Sequence, residues 1–235
     1  MVWCGPALRV ILMVEFALLG GYMRGQGGAV PQIPVSAVPS AAPRVRAPLT
    51  VLNKPIVVEF RSTRSKKLTD SRMVVEAELR VMFYRDRDGK TRTDYFDSSS
   101  RGEGPAVSIL WDPQGKAVTF VSFADRTVQV MVNPMSPSER DWMPAGPFVL
   151  KFTNDQRTIR ELECKRVDIL PIPGHTIEET KDEIWVALDW GIVMLDVTET
   201  AAEQLRWEVV RVERLAPEPS VFRVPEGFVV KRISD

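Results

Sequence analysis

From about residue 51 onward, apolar and polar side chains alternate along most of this chain with a period of two. The clearest run covers 72–84. Met73, Val75, Ala77, Leu79, Val81 and Phe83 take every second position, and Arg72, Val74, Glu76, Glu78, Arg80, Met82 and Tyr84 take the others. Successive side chains of a strand point to opposite faces, so this spacing predicts one long strand with an apolar face and a mostly polar one. The run ends in Arg85-Asp86-Arg87-Asp88-Gly89-Lys90. Asp-Gly is a tight-turn dipeptide because both residues tolerate positive φ. Thr91–Phe96 then returns, which predicts a β-hairpin with long arms.

A second hairpin is expected from Val107–Trp111, the turn Asp112-Pro113-Gln114-Gly115 and the return Lys116–Phe123. Proline presets φ at one corner of that turn, and glycine supplies the permissive position. Phe123-Ala124-Asp125-Arg126 makes another turn, and Val128, Val130 and Val132 alternate through Thr127–Val132. Three strands joined by short turns form a meander. Three prolines interrupt the pattern across 133–146, which reads as a loop or one helical turn with Ser136 or Ser138 as cap. Phe148, Leu150 and Phe152 restart the alternation, and further strands are expected at 158–169, 182–189, 192–199 and 204–214. Thr198–Gln204 reads as a short helix or a loop, and Pro217–Val230 holds two short apolar runs around Pro225-Glu226-Gly227. With about 10–12 strands in one domain, a sheet curls, closes or splits into layers. The expected fold class is mainly β: a strongly curved antiparallel sheet, an open half-barrel whose concave face is covered by short helix or loop segments.

The N-terminus breaks the alternation. Residues 8–22, LRVILMVEFALLGGY, form an apolar run. It is shorter than the roughly 20 residues of a membrane span and matches the apolar region of a secretory signal. Gly25-Gln26-Gly27 follows as a small-residue cleavage site. Glu15 inside the run and Arg9, the one basic residue of the n-region and late in it, depart from an ideal signal, so an uncleaved anchor, a mis-called start codon and a core helix stand as alternatives. Cys4 precedes the run, whereas a lipid-attached cysteine would follow it. Residues 28–50, GAVPQIPVSAVPSAAPRVRAPLT, have no helical or strand period, and their proline and small residues favour extended, polyproline-like chain. The expected organisation is a signal peptide at 1–27, a disordered tether at 28–50 and a single antiparallel β domain at 51–235. The expected location is the periplasm, or outside the cell after signal cleavage.

Composition narrows the chemistry. Hydrophobic residues make up 44% and charged residues 26%, enough apolar material for a sizeable core. Lys+Arg and Asp+Glu both number 31, so no basic field exists to attract a nucleic acid. Two cysteines and one histidine leave few soft ligands for zinc. With the signal removed Cys164 has no disulfide partner. It shares a strand face with Leu162 and reads as a small buried hydrophobe, with a reactive thiol as the alternative.

A resemblance follows from three motifs. Tyr84-Arg85-Asp86 with Gly89-Lys90-Thr91-Arg92, the turn Ile109-Leu110-Trp111-Asp112-Pro113-Gln114-Gly115, and the tail Pro217-Glu218-Pro219-Ser220-Val221-Phe222-Arg223-Val224-Pro225-Glu226-Gly227 resemble an exported β-rich family of uncharacterised proteins common in Acidobacteria. Glu183-Ile184-Trp185 followed by Ile192-Val193-Met194-Leu195 is similar to a strand pair of that family. The likeness spans most of 75–230, and nothing is carried over for 133–180. At fold level it resembles the periplasmic lipoprotein carriers and envelope-stress regulators, the LolA/LolB-like half-barrels. That resemblance implies an open half-barrel covered by short helices; it implies no activity.

No catalytic constellation stands out, and neither a cofactor nor a metal site is expected. His175 lies in the Pro/Gly stretch Pro173-Gly174-His175, and no G-x-S-x-G or phosphate-cradling glycine motif occurs. Asp86, Asp88 and Asp94 are interleaved with Arg87, Lys90 and Arg92, which oppose a bound cation. Glu178-Glu179 and Lys181-Asp182-Glu183 read as a solvated face. The aromatic residues carry more. Trp111, Trp142, Met143, Phe148, Trp185 and Trp190 are the candidate ligand-binding residues, lining an apolar pocket on the concave side. Filling the core is their other reading. Trp142 and Met143, with Met135, form a candidate lid. Two functions are thus open: a non-catalytic envelope protein binding an acyl chain, lipid or lipoprotein in a groove, or an interaction or sensory module with a filled core that meets an envelope protein through a sheet edge. Transient membrane contact is compatible with the first.

Overall fold

The computed structural model describes residues 50–69, 72–97, 104–132, 148–171 and 181–233. The signal segment, nearly all of the tether, the interruption at 133–146 with Ser136 and Ser138, and His175 lie outside the described residues. Twelve strands run in chain order: β1 (Ile56–Lys67), β2 (Met73–Arg85), β3 (Thr91–Asp97), β4 (Val107–Asp112), β5 (Ala117–Ser122), β6 (Thr127–Val132), β7 (Phe148–Ile159), β8 (Leu162–Pro171), β9 (Lys181–Ala187), β10 (Ile192–Glu199), β11 (Glu203–Glu213) and β12 (Val229–Ile233). Short 3-10 turns occupy Leu188–Trp190 and Pro219–Phe222.

All twelve strands belong to one open sheet in the order β12-β6-β5-β4-β3-β2-β1-β11-β10-β9-β8-β7. The mainly β half-barrel expected from the alternation is therefore what the chain adopts. Two meanders, β1–β6 and β7–β11, meet where β1 pairs antiparallel with β11. Every pairing is antiparallel except that of β12 with β6, where the tail returns parallel to the sheet.

The turns follow local chemistry. Between β2 and β3, Asp86 N–H donates to the Lys90 carbonyl at 3.0 Å, and Asp86 Oδ1 accepts from Lys90 N–H at 2.8 Å. Gly89 takes φ +79°, the left-handed position of a three-residue hairpin loop. A Cβ there would meet Thr50 Cγ2 at 2.7 Å, so the segment ahead of β1 is laid against this turn. In the β4–β5 turn the permissive position belongs to Lys116 at φ 45° and not to Gly115. Asp112 Oδ1 accepts from Gln114 N–H and Gly115 N–H and winds the turn one residue further.

Three further expectations change. The strand expected at 158–169 is the end of β7, a two-residue turn and the start of β8. Ile159 pairs with Leu162, and Arg160 (φ 49°) and Glu161 (φ 64°) are both left-handed, as a type I′ hairpin requires. Neither is Gly or Asn, so the alternation reads straight through the turn. The strain, about 1 kcal/mol or more per residue, is opposed by two contacts. Arg160 Nε donates to the Val209 carbonyl at 3.4 Å, and Arg214 Nη2 donates to the Glu161 carbonyl. Of the short helix or loop expected at Thr198–Gln204, the chain takes the loop, narrowed to residues 200–202 between β10 and β11. Thr200 Oγ1 accepts from Ala202 N–H and Glu203 N–H and folds β10 directly into β11. The long strand β2 is buried only in its second half: Val81 is 0% exposed, whereas Val75 is 58% exposed. β3 pairs only with Leu79–Arg85, so the outer half of the β1–β2 ribbon extends past its neighbour.

The main core joins both meanders. Ile56, Val58 and Phe60 of β1, Leu162 and Cys164 of β8, Trp185 and Ala187 of β9, Ile192 and Met194 of β10, and Trp207 and Val209 of β11 form one buried cluster. Each fully buried aliphatic side chain there contributes about 1.5–3 kcal/mol. Ile184 and Val186 alternate with Trp185 and Ala187, and so face the other way, into a second cluster with Val167. A third, of Leu110, Val121 and Val128, is covered by Phe228 from the tail. Cys164 is 1% exposed, the small buried hydrophobe of the sequence reading.

Replacing Glu161 with Gly relieves one left-handed side chain and keeps the carbonyl that Arg214 uses. We expect Glu161→Gly to raise stability by about 0.5–1 kcal/mol, read as a higher urea midpoint at unchanged slope; a lower midpoint contradicts the type I′ assignment.

Candidate functional site

The curl of the sheet makes the site. β10 and β11 pair from Leu195–Glu199 to Gln204–Glu208. Beyond that, Val209 of β11 and the start of β10 no longer pair, and a fork opens between them. The β7–β8 turn, four places along the sheet from β11, fills the mouth of the fork through the bond from Arg160 to Val209.

The result is a cleft of about 410 Å³. Its floor is Met194, Leu195 and Val209, all buried, and its rim carries Arg157, Arg160 and Arg206 with Glu208. Arg206 grips Glu208 Oε2 through Nε at 3.0 Å and Nη2 at 2.8 Å. Arg157 Nη1 reaches Glu183 Oε1 at 3.1 Å, and its guanidinium lies 4.0 Å from the ring centre of Trp185. Trp185 Nε1–H donates to the same Glu183 oxygen at 2.8 Å. Arg160 forms no ion pair among the described residues. Among the described residues the rim thus keeps one positive charge beyond its carboxylates, above a floor whose buried side chains present little apolar surface.

Of the six residues chosen from the sequence, four lie among the described residues, and none of the four lines the cleft. Trp185 is buried in the main core and Trp190 packs against it. Trp111 is buried elsewhere, its Nε1–H donating to Thr50 Oγ1 at 3.3 Å. Phe148 opens β7, at the edge of the sheet. Trp142 and Met143 lie outside the described residues. Sequence reasoning missed the arginines of the rim, because reading 158–169 as one strand concealed the turn that carries Arg160. The run Arg157-Thr158-Ile159-Arg160-Glu161, charged at both ends with no turn residue inside, was the available signal.

Two motifs of the resemblance meet in space. Arg92 of the first hairpin bonds Asp94 Oδ1 at 2.5 Å and Ser108 Oγ at 3.1 Å, and its Nη1 donates to the Val221 carbonyl of the tail at 2.7 Å. Ser108 Oγ donates to Asp94 Oδ1 at 2.5 Å. Asp94 is therefore a buried acceptor that positions the tail. Among the described residues no three His, Cys, Asp or Glu side chains are grouped so as to hold a metal ion.

Burial moves three groups. It raises the Tyr84 phenol, with Asp94 adding to the rise. It raises the Cys164 thiol against the opposing effects of a backbone hydrogen bond and Arg157. It lowers the Arg85 guanidinium to about 10. None of the three lines the cleft.

No protein-family model and no curated protein matches the sequence. Several solved structures are similar to it at low identity. An uncharacterised conserved protein from Thermus thermophilus is 13% identical, with 75% of this chain and 91% of that chain covered at a TM-score of 0.43. MucB in complex with MucA(peri) is 12% identical, with 77% and 57% covered at a TM-score of 0.42. A putative outer membrane lipoprotein-sorting protein domain from Vibrio parahaemolyticus is 8% identical, with 72% and 89% covered at a TM-score of 0.31. MucB and a putative lipoprotein-sorting domain are thus among the solved structures to which this chain is similar. At these identities and scores they place no activity on this chain.

Two outcomes test the local chemistry. Asp94→Ala strands a largely buried guanidinium and is expected to cost about 3 kcal/mol, with faster amide exchange at Val221–Phe228; unchanged exchange there contradicts the tail contact. Cys164 and Tyr84 are neutral when protonated, and their folded pKa values lie above their unfolded ones. Their contribution to stability is full below the ordinary values of 9.0 and 10.0 and is lost as pH rises through the folded values. Urea midpoints should fall on going alkaline, with a shallower fall in Cys164→Ala.

Proposed function

We propose that this chain is a non-catalytic cell-envelope protein that binds an apolar ligand, an acyl chain, lipid or lipoprotein, in the cleft of its half-barrel. Export rests on the apolar run at 8–22 and removal of residues 1–27. The single observation that carries the binding reading is the cleft, with Met194, Leu195 and Val209 as its floor and unpaired Arg160 on its rim. Its volume falls in the range of about 300–1,000 Å³ typical of small-molecule sites. A ligand with an acidic end at Arg160 and a short apolar part against the small apolar floor suits this mixed lining. The main core is filled by the protein's own side chains, so the ligand occupies the cleft and does not thread the barrel. Of the aromatic candidates Trp185 stands nearest this role, beneath Arg157.

Two observations favour the alternative, an interaction module: the main core is filled by the protein's own side chains, and an apolar strand segment is exposed. Met73, Val74 and Val75 are 41%, 46% and 58% exposed, on the stretch of β2 that β3 does not pair. A strand segment with exposed apolar side chains and no ladder partner on that side among the described residues is suited to pairing with an extended segment of a partner.

Lipid extraction and mass spectrometry of protein purified from its native envelope separate the two. Thr158 is exposed and lines the cleft, so Thr158→Trp fills it without disturbing the core. An acyl lipid that co-purifies with the unaltered chain and is lost from Thr158→Trp supports the cleft. Absence of lipid from both, with a partner protein retained by the unaltered chain and lost from Val75→Lys, sinks the carrier reading in favour of the edge.

A further inference from the structure

Three cations converge on Trp190, outside the cleft. Arg85 is 2% exposed; its Nε donates to the Lys54 carbonyl at 3.0 Å and its Nη1 to the Trp190 carbonyl at 2.8 Å. Lys54 Nζ lies 5.4 Å from the ring centre of Trp190, and Arg214 Cζ lies 5.7 Å from it. Among the described residues none of these three cations has a carboxylate partner. Backbone carbonyls and an aromatic face, partial charges only, are what surround them. Nη2 of Arg85 is buried with no hydrogen-bond acceptor among the described residues.

The same sheet shows how a guanidinium with little access to water is ordinarily accommodated. Arg92 is met by the Asp94 carboxylate, Ser108 Oγ and the Val221 carbonyl. Arg85 is more deeply buried than Phe83 and Tyr84 before it, yet it has carbonyls on two of its nitrogens and nothing on the third. A buried charge is normally paired, because desolvation is costly unless an opposite charge and full hydrogen bonding offset it. The element missing at this end of the half-barrel is an anion.

We propose that Lys54, Arg85 and Arg214 form an oxyanion site around Trp190, for a phosphate group borne by a lipid headgroup or free in solution. The phosphate oxygens face the Lys54 ammonium and the Arg214 guanidinium, over the buried and uncompensated charge of Arg85. Guanidinium donors match the geometry of phosphate oxygens, and a charge-assisted bond in a poorly solvated place is stronger than one at the surface. Lys54 is half-buried and Arg214 exposed, so the cluster opens to solvent on their side. No residue of the cluster lines the cleft, and the site does not depend on what the cleft binds.

The test uses the full chain and inorganic phosphate, titrated against chloride at matched ionic strength and read by the indole resonance of Trp190 and by thermal melting. A saturable shift of that resonance and a phosphate-specific rise in melting temperature are expected. Arg85→Met removes the buried charge and is liable to misfold, so the deciding variant is Lys54→Gln with Arg214→Gln, which is expected to weaken phosphate binding about tenfold or more. Vesicles of phosphatidylglycerol against phosphatidylcholine form the second arm. Preference for the anionic vesicles without a response to free phosphate assigns the headgroup as source, and response to phosphate alone assigns the free ion. No response in either arm, or one that survives in the double variant, overturns the site. Thr158→Trp is expected to leave the phosphate response intact, so loss of the cleft reading and loss of this one are told apart.

Discussion

The architecture depends on one long-range ladder, that between β1 and β11. β1 stands between two meanders that are otherwise local, and its pairing with β11 joins residues near 60 to residues near 210. Closing so long a loop costs entropy that grows only slowly with length, but the cost precedes any reward from contacts. Burial supplies that reward. Phe60 of β1 and Trp207 of β11 pack with ring centres 4.7 Å apart, and around them the main core draws on β1, β2, β8, β9, β10 and β11. Without this ladder the two meanders would be separate sheets, each with an exposed apolar face.

The curl that buries the core also makes both candidate sites. Bringing β7 and β8 round to β11 sets the 160–161 turn against the fork where β10 and β11 part, and this creates the cleft. At the same end the Leu188–Trp190 turn, the start of β1 and the end of β2 meet, and this gathers the cations at Trp190. Tight left-handed turns without glycine accompany the arrangement. The strain at Arg160 and Glu161 is held by side-chain bonds to main-chain carbonyls, and those bonds exist only because the sheet bends far enough to bring β11 within reach.

Two inward-reaching arginines divide the labour. Arg92 is met by Asp94, Ser108 and the tail, and it fixes the C-terminal segment against β3 and β4. Phe228 then covers the third core, packing edge-on to Phe123 with ring centres 5.5 Å apart. Arg85 ties the start of β1 to the Leu188–Trp190 turn through two carbonyls while its charge stays unpaired. One guanidinium therefore serves cohesion, and the other adds a positive field to that cohesion.

Strand alternation determined much of this by itself. The strands at 72–84, the hairpin around Gly89 and the meander through Val132 depend on nearest neighbours and form where expected, with a bulge at Val75–Ala77 and a three-residue loop at 87–89 that the alternation did not show. The burial of Cys164 beside Leu162 was legible for the same reason, since face is set by parity. Turn positions without a turn residue were not legible. Arg160-Glu161 owes its conformation to partners some 50 residues away, Val209 and Arg214, and Lys116 owes its own to the reach of Asp112. Exposure of Met73–Val75 was also hidden, because a pattern reports which face is apolar and not whether another strand lies beside it. The cleft and the cation cluster were beyond any pattern. Met194, Arg160 and Arg206, like Lys54, Arg85 and Arg214, come together only when the β1–β11 ladder closes and the sheet bends, and charge placed by curvature leaves no period along the chain.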